Sequence, residues 1–364
     1  MTSPSADLRA TCKYFLSGHL PRTQREWLEY LAASPMADLS SDRYGDGPAI
    51  ALLEQEVATL LGKEAAIFVH KGVIAQLMAL RVWTERAGKR TVALHPKSHI
   101  DLDERKGYEQ VLQLRGLRTG KDHSPFTLQE LKDLHEPCGA IVVELPLRRA
   151  GFKLPSWEEL VAISTWAREQ SVPLHFDGAR LWESAPFYGR SYAEIAALAD
   201  SIYVSFYKGL GGLAGCVLAG SRDFIEEARI WGDRLSGSLY TAFPYVVAAY
   251  EGLHRHVPKM AGYVARAQEL GGALRELPGV MIVPDPPQTN SFQIHLPATR
   301  QALQKGVEYL AETEGVWLFN GLVETTFPAL TMAEIAIGEA AEQWSIEEAV
   351  AWVKTLLHYA QTNE

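Results

Sequence analysis

The sequence predicts an α/β protein in which a large domain built on a mostly parallel sheet is followed by a smaller α+β domain. Three observations carry this reading. From Thr91 to Gly220, short apolar runs alternate with amphipathic helical stretches, as strands joined by helical crossovers require. Two of those runs, Pro173 to Asp177 and Ser201 to Lys208, end in a charged residue followed by small ones. Ligands of open parallel sheets sit beyond the carboxyl ends of the strands, so both charges are expected at one crevice. After Pro258 strands and helices follow one another in a different rhythm, which suits an α+β cap.

Bulk properties narrow the class. A chain of 364 residues exceeds one small core and suits a large domain with a lesser one attached. A formal charge of -9, with no basic run beyond Lys89-Arg90, argues against a nucleic-acid partner. Cys12, Cys138 and Cys216 are odd in number and widely spaced, so neither a disulfide framework nor a metal site follows, and a reducing cytoplasm fits best. Met1-Thr2-Ser3-Pro4-Ser5-Ala6-Asp7 lacks the basic-then-apolar order of a signal peptide. No apolar stretch reaches membrane-spanning length, so no membrane partner is expected.

In chain order, residues 1–45 read as an N-terminal arm with one helix over Thr23 to Ala33, closed by the turn-rich Ser40 to Pro48. Residues 46–257 form the expected large domain. Pro48 opens a helix carrying Ile50, Leu53, Val57 and Leu60, which Gly62 ends. Ala65 to Val69 is a buried strand, and His70-Lys71-Gly72 turns from it into a second helix. Strands are then expected at Val92–His95, Val111–Leu114, Ala140–Glu144, Leu174–Asp177, Ser201–Phe206 and Cys216–Ala219, with helices at Phe224–Leu235 and Tyr245–Leu253. Residues 258–364 form the small domain. Its helices are expected at Tyr263–Leu277, Arg300–Glu314 and Ile346–Ala360, and its strands at Val280–Val283, Ser291–His295, Val316–Phe319 and Met332–Ile337.

A lysine that closes an apolar strand and runs into glycines suits an amine held in a dry pocket, where desolvation lowers its pKa and makes it nucleophilic. Lys208 with Asp177 on a preceding strand end therefore suits pyridoxal 5'-phosphate (PLP): the lysine forms the Schiff base and the carboxylate keeps the pyridine nitrogen protonated. Arg180, three residues beyond Asp177, can reach the same cavity with a fork suited to a carboxylate. The junction Lys71-Gly72-Val73 is a candidate phosphate seat, because free N–H groups at a helix start attract anions. His99, just past a strand end, could stack on a ring or move protons, or serve only as a loop residue.

Five segments fall in the order and spacing of the threonine aldolases: Tyr44-Gly45-Asp46-Gly47-Pro48, Gly62 to Phe68, Ser98-His99, His175 to Arg180 and Ser205 to Gly211. The chain thus resembles the threonine aldolase/β-eliminating lyase family of fold-type I (aspartate aminotransferase-like) PLP-dependent enzymes, from about Ser17 onward. The resemblance implies that Lys208 forms the Schiff base, that Asp177 meets the pyridine nitrogen and that Arg180 binds the substrate carboxylate. It also implies that His99 stacks on the ring and acts near the β-hydroxyl, and that Lys71, Gly72, Val73 and Ser205 line the cofactor. Ser17 and His123 are implied near the substrate. The reaction implied is retro-aldol cleavage of a β-hydroxy-α-amino acid to glycine and an aldehyde. The alternatives are β-elimination, racemisation or transamination on the same cofactor, or a PLP fold that has lost catalysis. A homodimer or homotetramer with sites at the dimer interface is implied as well.

Departures from the family pattern bear on substrate choice. The phosphate loop, usually Ser/Thr-Gly-Thr, reads Lys71-Gly72-Val73, and the serine before the Schiff-base lysine is Tyr207. The Glu-Asn-Thr-His-Asn segment becomes Glu144 to Arg149, and the glycine-rich Met-Arg loop becomes Ser236 to Tyr240. The family's second carboxylate-binding arginine aligns with Glu334, so either Arg148 or Arg149 compensates or the substrate differs from threonine and carries a basic or larger group.

Overall fold

The computed structural model describes residues 4–362, so Met1-Thr2-Ser3, part of the segment read as lacking a signal, lies outside them. Contacts divide the chain into a larger unit, Glu26–Pro258, and a smaller one made of the residues up to Arg25 together with those from Lys259 onward. The stretch expected as one arm is therefore split at Arg25. Among the described residues no helix is long and apolar enough to cross a membrane.

Strand β1 (Tyr14–Phe15) comes first and belongs to the smaller unit. The larger unit holds β2 (Ala65–Val69), β3 (Thr91–Leu94), β4 (Arg115–Arg118), β5 (Ala140–Glu144), β6 (Leu174–Gly178), β7 (Ser201–Ser205) and β8 (Cys216–Gly220). They form one seven-stranded sheet in the order β2-β8-β7-β6-β5-β3-β4. β8 runs against both β2 and β7, and every other pair is parallel. Strands β2, β7, β6, β5 and β3 consequently finish at one edge, where β8 begins. Strands β5 to β8 are buried throughout, as expected of a sheet covered on both faces.

Helix Gly72–Ala87 seats one face of this sheet. Its residues Ala75, Met78, Ala79, Leu80 and Val82 are fully enclosed, and Trp83 stacks on Phe224 with ring centroids 4.5 Å apart. A buried polar chain fixes the helix against the strands. The Trp83 indole N–H donates to Ser201 Oγ at 2.7 Å, and His175 meets Ser201 Oγ and Gln76 Oε1, each at 2.8 Å. His175 is fully buried, and desolvation pushes its pKa down to about 3, so the imidazole is neutral.

One expected strand is misplaced. Val111–Leu114 follows the short helix Gly107–Gln110 as a turn, with Gln113 at φ +56°, while the strand is Arg115–Arg118. β4 is an edge strand whose exposed positions carry arginines, so its sequence lacks the apolar run of an inner strand. Leu112 and Leu114 are apolar because they are buried in the core beneath helix Gly72–Ala87.

In the smaller unit, β9 (Met281–Val283), β10 (Ser291–Leu296), β12 (Leu322–Glu324) and β13 (Thr331–Ala336) make an antiparallel sheet in the order β12-β13-β10-β9. β11 (Val316–Trp317) pairs in parallel with β1. Helices Met260–Leu274, Arg300–Glu314 and Ile346–Thr362 accompany them. β12 was not anticipated; its three residues are mostly exposed and carry no periodic pattern.

Candidate active site

The register of three strands fixes the heart of the site. Glu144 on β5 lies directly beside Asp177 on β6, and Asp177 beside Tyr203 on β7. In-register neighbours of a parallel sheet share a face, and positions two apart along a strand share it too. Glu144, Asp177, Tyr203 and Ser205 therefore project to the face covered by helix Gly72–Ala87. Cys216, paired with Ser205 across β7 and β8, joins them.

Asp177 is 2 % exposed, and its Oδ1 accepts the Ala179 N–H at 3.2 Å. Lys208 follows β7 through a tight turn. Burial lowers its pKa most and Arg180 next, against the opposing pull of Asp177, Glu144 and Glu104. Lys208 is therefore within electrostatic reach of both Asp177 and Arg180. Arg180 precedes helix Leu181–Tyr188 and lies over the Phe152 ring at 5.2 Å.

His99 opens a short helix just past β3. Its backbone N–H donates to Glu144 Oε2 at 2.7 Å, and its Nδ1 lies 3.2 Å from Glu104 Oε1. Burial works to lower the His99 pKa, but the Glu104 bond and the Asp177 charge outweigh it, and the net shift is upward. The Glu104 carboxyl is itself raised, chiefly by burial. Glu144 is raised by burial and then by the neighbouring Asp177 charge, since two adjacent carboxylates resist ionising together.

At the other end of the same edge, Lys71-Gly72-Val73 begins helix Gly72–Ala87. Hydrogen bonding within that helix starts with the Ile74 and Ala75 N–H groups, both donating to the Lys71 carbonyl, so those of Gly72 and Val73 precede it. A Cβ at residue 72 would overlap the Tyr203 hydroxyl, so glycine lets the strand and the helix start approach this closely. Ser205 is fully buried and its Oγ has no partner. A buried hydroxyl left unsatisfied is costly, and a bound polar ligand would relieve it. This orphan hydroxyl, the free helix start, the desolvated Lys208 amine and the buried Asp177 carboxylate together fit PLP.

Two further predicted residues have contacts of their own. His123 is exposed on the loop after β4, where its carbonyl accepts from Lys153 Nζ at 2.7 Å. None of the contacts described for His123 brings its ring toward Lys208. Ser17 belongs to the smaller unit, where its Oγ donates to the Ala336 carbonyl at 3.2 Å and accepts the Ala336 N–H at 2.9 Å. Of the two arginines considered as compensation, Arg149 is ion-paired with Asp103, and Arg148 gives its backbone N–H to Glu144 Oε1. Glu334 lies on β13 of the smaller unit opposite Gln293.

Sequence reasoning passed over Glu104 and Glu183. Glu104 is five residues past the candidate histidine, and an acid that close could have been proposed as its partner. Glu183 follows Arg180 by three, the spacing that puts two residues on one helical face. It is 1 % exposed with one carboxylate oxygen unpartnered, and its carboxyl occupies the space a Cβ at Gly209 would need. Burial raises its pKa to about 7, against the pull of Arg180 and Lys208. A separate cavity of about 360 Å³, lined by Tyr44, Asp46, Glu54, Arg229, Asp233 and Ser238 among others, contains none of the predicted site residues.

The family described as "Beta-eliminating lyase" matches residues 25–298 of the chain. The chain belongs to this family. A low specificity L-threonine aldolase of Escherichia coli is 30 % identical over 71 % of this chain and 78 % of its own length. A solved structure from Listeria monocytogenes, described as a proposed L-allo-threonine aldolase, is 35 % identical, covers 97 % of this chain and 98 % of its own, and superposes with a TM-score of 0.91. The serine palmitoyltransferase of Sphingomonas wittichii is only 15 % identical over 91 % of this chain and 85 % of its own, with a TM-score of 0.66, and shares the fold alone. The larger unit of this family member has the mostly parallel α/β sheet of fold-type I.

Proposed function

We propose that the protein is a PLP-dependent aldehyde-lyase that cleaves a β-hydroxy-α-amino acid of the threonine type to glycine and an aldehyde. The observation that carries this reading is the grouping, on one sheet edge, of a desolvated Lys208, a buried Asp177 and a guanidinium at Arg180. The resemblance to threonine aldolases names the bond. When bound, PLP supplies an electron sink for the charge left on the substrate's α carbon.

Lys71, Gly72, Val73 and Ser205 would hold the cofactor's phosphate, Asp177 its ring nitrogen and Lys208 its aldehyde carbon. Asp177 keeps a proton on that nitrogen, which requires the carboxylate to stay charged. The pKa of Glu144 beside it is raised by burial and then by the Asp177 charge. Lys208 presents an amine whose depressed pKa enlarges its neutral, nucleophilic fraction. Arg180 would bind the substrate carboxylate and so fix how the bonds of the α carbon are oriented in the site. His99 removes the β-hydroxyl proton, directly or through water, and Glu104 orients its imidazole. A homodimer or homotetramer is the expected assembly.

The test is direct. Purified protein mixed with PLP should develop a visible absorbance band that borohydride abolishes, and a panel of β-hydroxy amino acids should yield glycine and aldehyde together. A band without aldehyde, but with ammonia or an inverted α carbon, would instead select the elimination or racemisation alternatives.

A further inference from the structure

The phosphate end of the site holds more than the helix start assigned above. The Tyr207 ring lies between two ammonium groups, with Lys71 Nζ at 5.9 Å and Lys208 Nζ at 6.0 Å from its centroid. Its phenol lies within electrostatic reach of Tyr203, whose hydroxyl sits where a Cβ at Gly72 would be. Tyr203 is the more deeply buried phenol, and burial raises both pKa values, so each keeps its proton at neutral pH. The Tyr207 O–H proton is therefore available to donate to a ligand. The fully buried, unpartnered Ser205 Oγ points to the same face two residues beyond Tyr203. A phenol O–H, an ammonium, a serine hydroxyl and two free N–H groups form a donor-rich cluster at the start of a sixteen-residue helix.

We propose that Tyr207 and Lys71 bind a phosphate-monoester dianion, and that together they account for most of the protein's preference for PLP over its unphosphorylated form. The proposal rests on the cofactor reading above and deepens it. Tyr207 supplies a hydrogen bond to one phosphate oxygen. Lys71 supplies charge from the rim. Asp177 and Glu144 lie further along the edge beyond β7, where they favour a cation and disfavour the phosphate. The dianion therefore has one favourable end of the crevice to occupy.

The experiment titrates the apoprotein with PLP and, separately, with pyridoxal, following the visible band at equilibrium. Tyr207→Phe and Lys71→Met should each weaken PLP binding roughly 10-fold, the loss expected for one charge-assisted hydrogen bond or ion contact, while pyridoxal binding stays within about 2-fold. Inorganic phosphate should compete with PLP for wild type and less well for either variant. Equal losses for PLP and pyridoxal would reduce Tyr207 to a structural role and overturn the proposal, as would no loss with either. Lys71 is exposed, so its variant reports even if Tyr207→Phe fails to fold. A wild type that binds neither compound would instead sink the cofactor reading itself, a result distinct from wild type binding both equally.

Discussion

The two halves of the sheet's ligand-facing edge are opposites. Beyond β2 and β7 stand Lys71, Lys208 and the hydroxyls of Ser205 and Tyr207. Beyond β6, β5 and β3 stand Asp177, Glu144 and the His99–Glu104 pair. Strand order alone sets this polarity, since each group is placed by the end of the strand that carries it. The edge is matched to a ligand with an anionic group at one end and a protonated nitrogen at the other. At the junction, burial and Arg180 favour the neutral amine of Lys208, against the opposing pull of Asp177, Glu144 and Glu104.

If the polarity is the working principle, breaking it at the middle should cost most. Lys208→Ala is expected to abolish both the visible band and turnover, measured by absorbance and glycine release. Asp177→Asn keeps the shape and removes the charge at the acidic end. It should lower kcat/KM by about 10²–10³-fold, a loss typical of removing one preorganised electrostatic contact.

The next step sharpens the comparison within the acidic half. Glu104→Gln removes the main influence that raises the His99 pKa. If neutral His99 is the base, the acidic limb of the pH profile of kcat/KM lies above the ordinary histidine value of 6.5 in wild type and should move to lower pH in the variant. A limb that does not move would detach His99 from proton transfer.

A smaller effect concerns stability. Glu183 ionises near pH 7 when folded and near 4.5 when unfolded, so the unfolded chain releases its proton first. Stability of the apoprotein should therefore fall as pH rises from about 4.5 to 7. By linkage, Glu183→Gln should remove about 2–3 kcal/mol of that decline, read from denaturant melts across the window. The least effect is expected from Arg149→Ala, whose ion pair with Asp103 is partly exposed. It should change stability by no more than about 1 kcal/mol.

Much of this was legible in the sequence, for reasons that differ by region. The inner strands β5, β6 and β7 announce themselves because both their faces are buried and each has an apolar centre, such as Ile141–Val143 or Ile202–Val204. Lys208 and Asp177 stand out because a charge at the end of such a strand has no structural reason to be there. β4 was missed because an edge strand may be polar, and the nearby apolar run Val111–Leu114 serves the core as a turn. Glu104, in a turn, and Glu183, in a helix, were missed because acids in such places usually face solvent, and only the packing of His99 and Gly209 against them reveals otherwise. The pairing of Tyr207 with Lys71 joins residues far apart in sequence, and no local pattern encodes it.

The central claim is that one amine, at the boundary between the two halves, holds the cofactor. It is tested most directly by reducing the PLP-loaded protein with borohydride and mapping the modified peptide. The account predicts a single pyridoxyl-modified residue, Lys208. A label on Lys71 or any other lysine, or none at all, would contradict it.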